Sequence, residues 1–149
     1  MKLLQEILLG ISLTLSSVSG YEFFYNNKIP IRWKENEITF KIDRKLSPMY
    51  RDSFIQSSQK WVKATHNKLN FSETLDDFAD ITISNKVMEA NINATTDYWI
   101  NKDNNFSRCL ISFNANKSFS QNTDYDKSNE LNLDDIMIHE IGHAIGLAH

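Results

Sequence analysis

Residues 139–149 read His-Glu-Ile-Gly-His-Ala-Ile-Gly-Leu-Ala-His. His139 and His143 lie four positions apart, so on a helix their imidazoles leave one face, one turn from each other. Both can then reach a single zinc ion at about 2.0–2.1 Å. A helix running on would carry His149 away from that ion. Gly146 resolves this, because glycine accepts the left-handed backbone that ends a helix and turns the chain. The turn lets His149 swing back as a third ligand. Three protein ligands leave one position for water, the arrangement of a catalytic rather than a structural zinc. Glu140, next to a ligand, can reach that water without being a ligand itself, as a general base must. The pattern His-Glu-x-x-His-x-x-Gly-x-x-His is met without departure. Three of the chain's 4 histidines and two of its 4 glycines fall inside it, which argues against an amphipathic helix with incidental histidines.

Such a site needs a helix for the first two ligands and a sheet to hold that helix. Leu133 to Ile145 reads as the helix, with Asn132 able to cap it and Asp134 and Asp135 suited to the positive end of its dipole. Further upstream, Ile38-Thr39-Phe40-Lys41-Ile42 alternates apolar and polar residues, the period of a half-buried strand. Ser47-Pro48 marks a helix start, with Ser as the cap and Pro in the first helical position. Tyr50, Phe54, Trp61, Val62 and Leu69 then fall on one helical face. Arg51, Asp52, Gln56, Gln59, Lys60 and Lys63 form the opposite, wet face. Leu69 to Phe71 begins a second strand, Ala79 to Ile83 is a third, and Tyr98–Ile100 and Cys109–Phe113 read as two more. Tyr21–Pro30 reads as an irregular lead-in, Asn91–Thr96 as a turn, and Asn114–Asn129 as a long polar connection. The order predicts a mixed α/β (α+β) domain around one twisted sheet.

Composition narrows the function. At 149 residues and 17.3 kDa the chain is one domain. With 41% hydrophobic and 11% aromatic residues it packs a core and is not a disordered segment. A net charge of −3 offers no basic surplus for nucleic acid. The lone Cys109 excludes an intramolecular disulfide and a Cys-x-x-Cys zinc site; lying in an apolar strand, it reads as a buried core thiol. His66 reads as a surface residue. Residues 1–20 read as a signal peptide: Lys2, an apolar run from Ile7 to Val18, and small residues up to Gly20. The run is shorter than the roughly 20 residues of a membrane span. An uncleaved anchor or an ordinary first helix are the alternatives. Residues 21–149 are then an exported, soluble domain without a stable membrane span, expected to be a monomer.

On these residues the chain resembles the metzincin clan of zinc metallopeptidases and, within it, the matrixins. Arg32-Trp33 and the strand after it look like a matrixin catalytic-domain opening. The helix with Trp61 resembles the family's first helix, Ala79-Asp80-Ile81-Thr82-Ile83 its Ala-Asp-Ile strand, and Ile136–His149 its active-site helix and turn. The likeness covers roughly residues 30 to 149. It implies a secreted endopeptidase acting on proteins or peptides, the extracellular matrix included. It implies one catalytic Zn²⁺ at His139, His143 and His149, with Glu140 as general base. It also implies a five-stranded, mostly parallel sheet with one antiparallel edge strand, a long first helix and an active-site helix. The edge strand lines the cleft and pairs with extended substrate; Cys109–Phe113 lies where that strand is expected.

The sequence departs from the family pattern in three places. No histidine or glycine lies between Ala79 and Asp135, so no second, structural zinc is expected. Asp124, Asp126, Ser128 and Glu130 lack the glycine and spacing of a calcium loop and read as a solvated acidic loop. No pro-segment with a zinc-blocking cysteine is expected before the domain. Metzincins continue past the third histidine into a Met-containing turn, the S1′ wall and a last helix, so the domain is expected to be C-terminally incomplete. That expectation keeps two rival readings open: a zinc-binding module without peptidase activity, and an inactive fragment of a metallopeptidase. Asn70, Asn93, Asn105 and Asn116 begin Asn-x-Ser/Thr sequons, which matter only in a host that glycosylates exported proteins.

Overall fold

A computed structural model of the chain describes residues 22–121 and 130–149. The expected signal peptide, and Asp124, Asp126 and Ser128 of the acidic loop, lie outside the described residues.

The lead-in is not irregular. Strand β1 (Glu22–Phe23) is followed by a hairpin of β2 (Tyr25–Asn26) and β3 (Ile29–Pro30). Asn27 and Lys28 turn the hairpin with φ of 50° and 66°, the two left-handed residues of the favoured two-residue hairpin turn. The alternation that the sequence showed around residue 40 becomes β4 (Glu37–Ile42), with Ile38 and Phe40 buried.

Helix α1 (Pro48–Ala64) begins where Ser47-Pro48 predicts, but the Ser47 side chain makes no capping hydrogen bond. Its wet face is the expected one: Arg51, Asp52, Gln56, Gln59, Lys60 and Lys63 are all exposed. Its inner face carries Phe54 and Trp61, with Tyr50 and Val62 half-buried. Leu69 is not part of that face. The helix ends at Ala64, and His66 and Asn67, at φ of 51° and 60°, redirect the chain first. Three serines, Ser53, Ser57 and Ser58, complete the buried face. Small polar side chains are tolerated there because they have partners: Ser53 Oγ donates to Asp134 Oδ1 at 2.5 Å, Ser58 Oγ to Ile55 O at 3.0 Å.

The main sheet adds β5 (Asn70–Glu73), β6 (Ile81–Lys86), β7 (Ala94–Ile100) and β8 (Phe106–Asn114). The spatial order is β5-β4-β6-β8-β7, parallel throughout except for antiparallel β7 at one edge. This is the mixed α/β fold with a mostly parallel sheet that the sequence led us to expect. Asp80 locks β4 to the start of β6: its carboxylate accepts from Thr39 N and Thr39 Oγ1 at 2.8 and 2.9 Å, and its own N–H donates back to Thr39 Oγ1 at 3.0 Å.

Two expectations about the sheet are corrected. Cys109–Phe113 lies in β8, second from the edge, and Ala94–Ile100 is the antiparallel edge strand. Ile111, Ser112, Phe113 and Asn114 are buried in succession, as a strand flanked on both sides must be. The expected turn at Asn91–Thr96 is correspondingly shorter, since Ala94, Thr95 and Thr96 already belong to β7. Their β-branched threonines suit a strand, and the nearby Asn91 and Asn93 masked that preference.

Strands β9 (Phe119–Ser120) and β10 (Leu131–Asn132) pair in parallel across the undescribed segment. Helix α2 (Leu133–Ala144) follows, then β11 (Leu147–Ala148). Helices α1 and α2 pack on one another. Trp61 fastens them, donating from Nε1 to Ile138 O at 2.9 Å while its ring fits over Gly142, where an added Cβ would come within 3.1 Å.

Candidate metal centre

Helix α2 starts as the sequence predicts, with Asn132 Oδ1 accepting from Asp135 N at 3.1 Å. It presents His139, Glu140 and His143 and stops at Ala144. Gly146 then takes φ = +110°. A Cβ there would sit 2.9 Å from Ile31 O, so both the backbone angle and the space require glycine. The turn returns the chain through β11 to His149.

The lead-in grips this turn along its length. β1 pairs antiparallel with β11, Glu22 opposite Ala148 and Phe23 opposite Leu147. Phe24 N donates to Gly146 O at 2.9 Å, and Trp33 Nε1 donates to Ala144 O at 2.8 Å. The Phe24 ring packs against those of Tyr98 and His143, with centroid distances of 4.7 and 6.0 Å.

The three histidines converge. Their ring centroids are 4.6 Å (His139–His143), 5.0 Å (His139–His149) and 4.7 Å (His143–His149) apart. One ring nitrogen from each lies within 4.8 Å of the others. The Nε2 atoms of His139 and His143 are 3.0 Å apart. Nitrogens around a tetrahedral zinc at about 2.0–2.1 Å stand about 3.3 Å from one another, so the donor set fits that ion. His143 Nδ1 is 2.7 Å from Leu147 O. A carbonyl only accepts, so Nδ1 carries the proton and the Nε2 lone pair is left for a metal. Burial holds the His139 imidazolium below its ordinary pKa, and the neighbouring His143 and His149 push the same way. A neutral imidazole is the form that binds metal.

Glu140 is 5% exposed. Burial pushes its carboxyl above the ordinary glutamate value, against the opposing pull of a Thr96 hydrogen bond and of His143 and His149. Thr96 Oγ1, on edge strand β7, donates to Glu140 Oε2 at 2.6 Å and lies 3.2 Å from Glu140 O.

The sequence pattern of one known family, matrixin, matches residues 32–149. The chain belongs to the matrixin family. Matrixins are zinc-dependent metallopeptidases, so residues 32–149 are a metallopeptidase domain, and its histidine cluster is compatible with zinc. No curated protein matches the chain. A matrixin's substrates are proteins or peptides, and matrixins are generally extracellular. Among the described residues no helix is long and apolar enough to cross a membrane.

The four expected site residues of this matrixin domain, His139, Glu140, His143 and His149, all lie together. Cys109 is buried, and burial drives its thiol pKa far up. His66 is exposed on the surface, and Glu130 is exposed too. Three contributors escaped the sequence. Thr96 lies in the stretch that reads as a turn, although Thr96, Tyr98 and Ile100 share the period of a strand. Phe24 lay in a segment without a pattern, its only signal being three aromatics in four residues. Leu147 acts through its main-chain oxygen, which no side-chain motif records.

Proposed function

We propose that the chain is an exported zinc-dependent metalloendopeptidase that hydrolyses peptide bonds in extracellular proteins. The observation that carries this reading is the convergence of His139, His143 and His149 beside a buried Glu140. His139, His143 and His149 would hold the ion. Zinc in such a site supplies a Lewis acid for the scissile carbonyl and makes water acidic enough to be deprotonated near neutral pH.

The remaining chemistry belongs to the chain. Glu140 accepts a proton from the attacking water, which adds to the substrate carbonyl carbon. Its carboxylic acid then returns that proton to the leaving amine as the C–N bond breaks. Strand β7 is the open edge next to α2, and an extended substrate can pair with it through main-chain hydrogen bonds. Residues 1–20 serve as the signal peptide, and residues 21–149 belong to a monomeric catalytic domain.

The test is chelator-sensitive cleavage of an unfolded protein substrate, restored by zinc, together with Glu140→Gln. The variant should bind zinc as before and lose nearly all turnover. One equivalent of bound zinc with no cleavage of any unfolded protein would favour the zinc-binding, non-peptidase module instead. Sequencing of the secreted protein should begin at Tyr21.

A further inference from the structure

We propose that Thr96 is a positioning residue that fixes the orientation of the Glu140 carboxylate from the edge strand. This inference rests on the reading of Glu140 as general base.

The geometry points one way. Thr96 Oγ1 donates to Glu140 Oε2 at 2.6 Å, the short length of a bond to a charged oxygen. A hydroxyl has a single proton to give, and the same oxygen is 3.2 Å from Glu140 O, the main-chain carbonyl of that residue. That proton goes to Oε2 at the shorter distance, so Thr96 holds the carboxylate by one bond, and the approach to the carbonyl shows only how close the hydroxyl lies to the helix turn of Glu140. The donor itself is rigid. A β-branched side chain has few χ1 choices, and Thr96 is held in the ladder opposite Ile111, a fully buried residue of β8.

A glutamate has three rotatable side-chain bonds and would otherwise sample several rotamers. Binding Oε2 to the strand leaves Oε1 as the oxygen free to act on water. It also sets the base in register with the strand along which substrate would lie. A misplacement of about 1 Å in a reacting group is enough to cost orders of magnitude in rate.

The experiment compares Thr96→Val, Thr96→Ser and Glu140→Gln in the full zinc-loaded chain, measuring kcat and KM separately and zinc stoichiometry alongside. Thr96→Val keeps the shape and the strand preference and removes only the hydroxyl. It should lower kcat about tenfold, with KM within about twofold and one zinc still bound. Thr96→Ser should recover most of that loss. Placed in the Glu140→Gln background, Thr96→Val should add nothing, because there is no base left to position. Unchanged kcat in Thr96→Val, with turnover abolished in Glu140→Gln, overturns this inference alone. Turnover that survives Glu140→Gln overturns the base assignment and this inference with it. If Thr96→Val fails to fold, Thr96→Ala decides in its place: unchanged kcat with one zinc bound overturns the role, and a loss of about tenfold largely recovered in Thr96→Ser supports it.

Discussion

His143 Nδ1 lies 2.7 Å from the main-chain oxygen of Leu147, four residues on. The bond spans the turn at Gly146, so the conformation of that turn and the tautomer of His143 are set together. Leu147 is in turn held by Phe23 across the β1–β11 pair. A backbone contact made by the lead-in thus reaches the metal centre in two steps.

Gly146→Ala should damage stability and metal binding together. The new Cβ meets Ile31 O at 2.9 Å, and φ = +110° is unfavourable for alanine. Strain of this kind costs about 1–3 kcal/mol, and relieving it moves Leu147 and His149. Thermal melting and zinc titration should both weaken. An unaltered zinc affinity would show that the turn does not place His149.

The chain should bind one equivalent of zinc among the described residues, read by elemental analysis after dialysis. Replacing His139, His143 or His149 by Ala should each weaken binding by at least about 100-fold, since losses of 10–100-fold already follow from disturbing the partners of ligands. Chelation should lower the melting temperature, because zinc bound only by the folded state stabilises it by mass action. A ligand variant that keeps full affinity would remove that residue from the set.

Phe24→Ala removes the ring packed against Tyr98 and His143 while sparing the main-chain bond to Gly146. Zinc affinity should fall about tenfold, as for other groups that orient a ligand from behind. Competition with a chromophoric chelator reads this directly. Affinity equal to wild type would show that the ring only fills space.

Cys109 should be inert to thiol reagents at pH 8 in the folded chain and react at once on unfolding, since the thiolate is the reactive form. Burial raises its pKa, with Asp80 adding to the effect. The folded state therefore keeps a proton that the unfolded chain releases above about pH 8.5. This group therefore favours folding fully below that pH, and its contribution declines as pH rises past it. Rapid labelling of native protein would contradict the burial.

What was legible in the sequence was what depends on local spacing. His139 to His149, Asn132 as a cap, the Ser47-Pro48 start and the wet face of α1 follow from neighbours a few positions apart. The edge strand was misplaced because sheet order is set by pairing between distant segments. Cys109–Phe113 looks like a strand from its own residues, and only Ala94–Thr96 pairing with Ile111–Phe113 shows which strand is outermost. Thr96 was lost for the same reason. Its importance lies in a bond to a residue 44 positions away.

The pairing of Glu22 with Ala148 has a kinetic meaning. It closes a loop of nearly the whole described chain, and contacts of such long sequence separation are made late because the entropy of bringing the ends together must be met first. The β1 clamp on the turn that carries His149 therefore bears a closure cost that the spacing of His139 and His143 on α2 does not. His139 and His143 are set by one turn of α2, whereas the hold on His149 depends on a contact from the far end of the described chain, so the third ligand is the one most exposed to damage elsewhere in the fold.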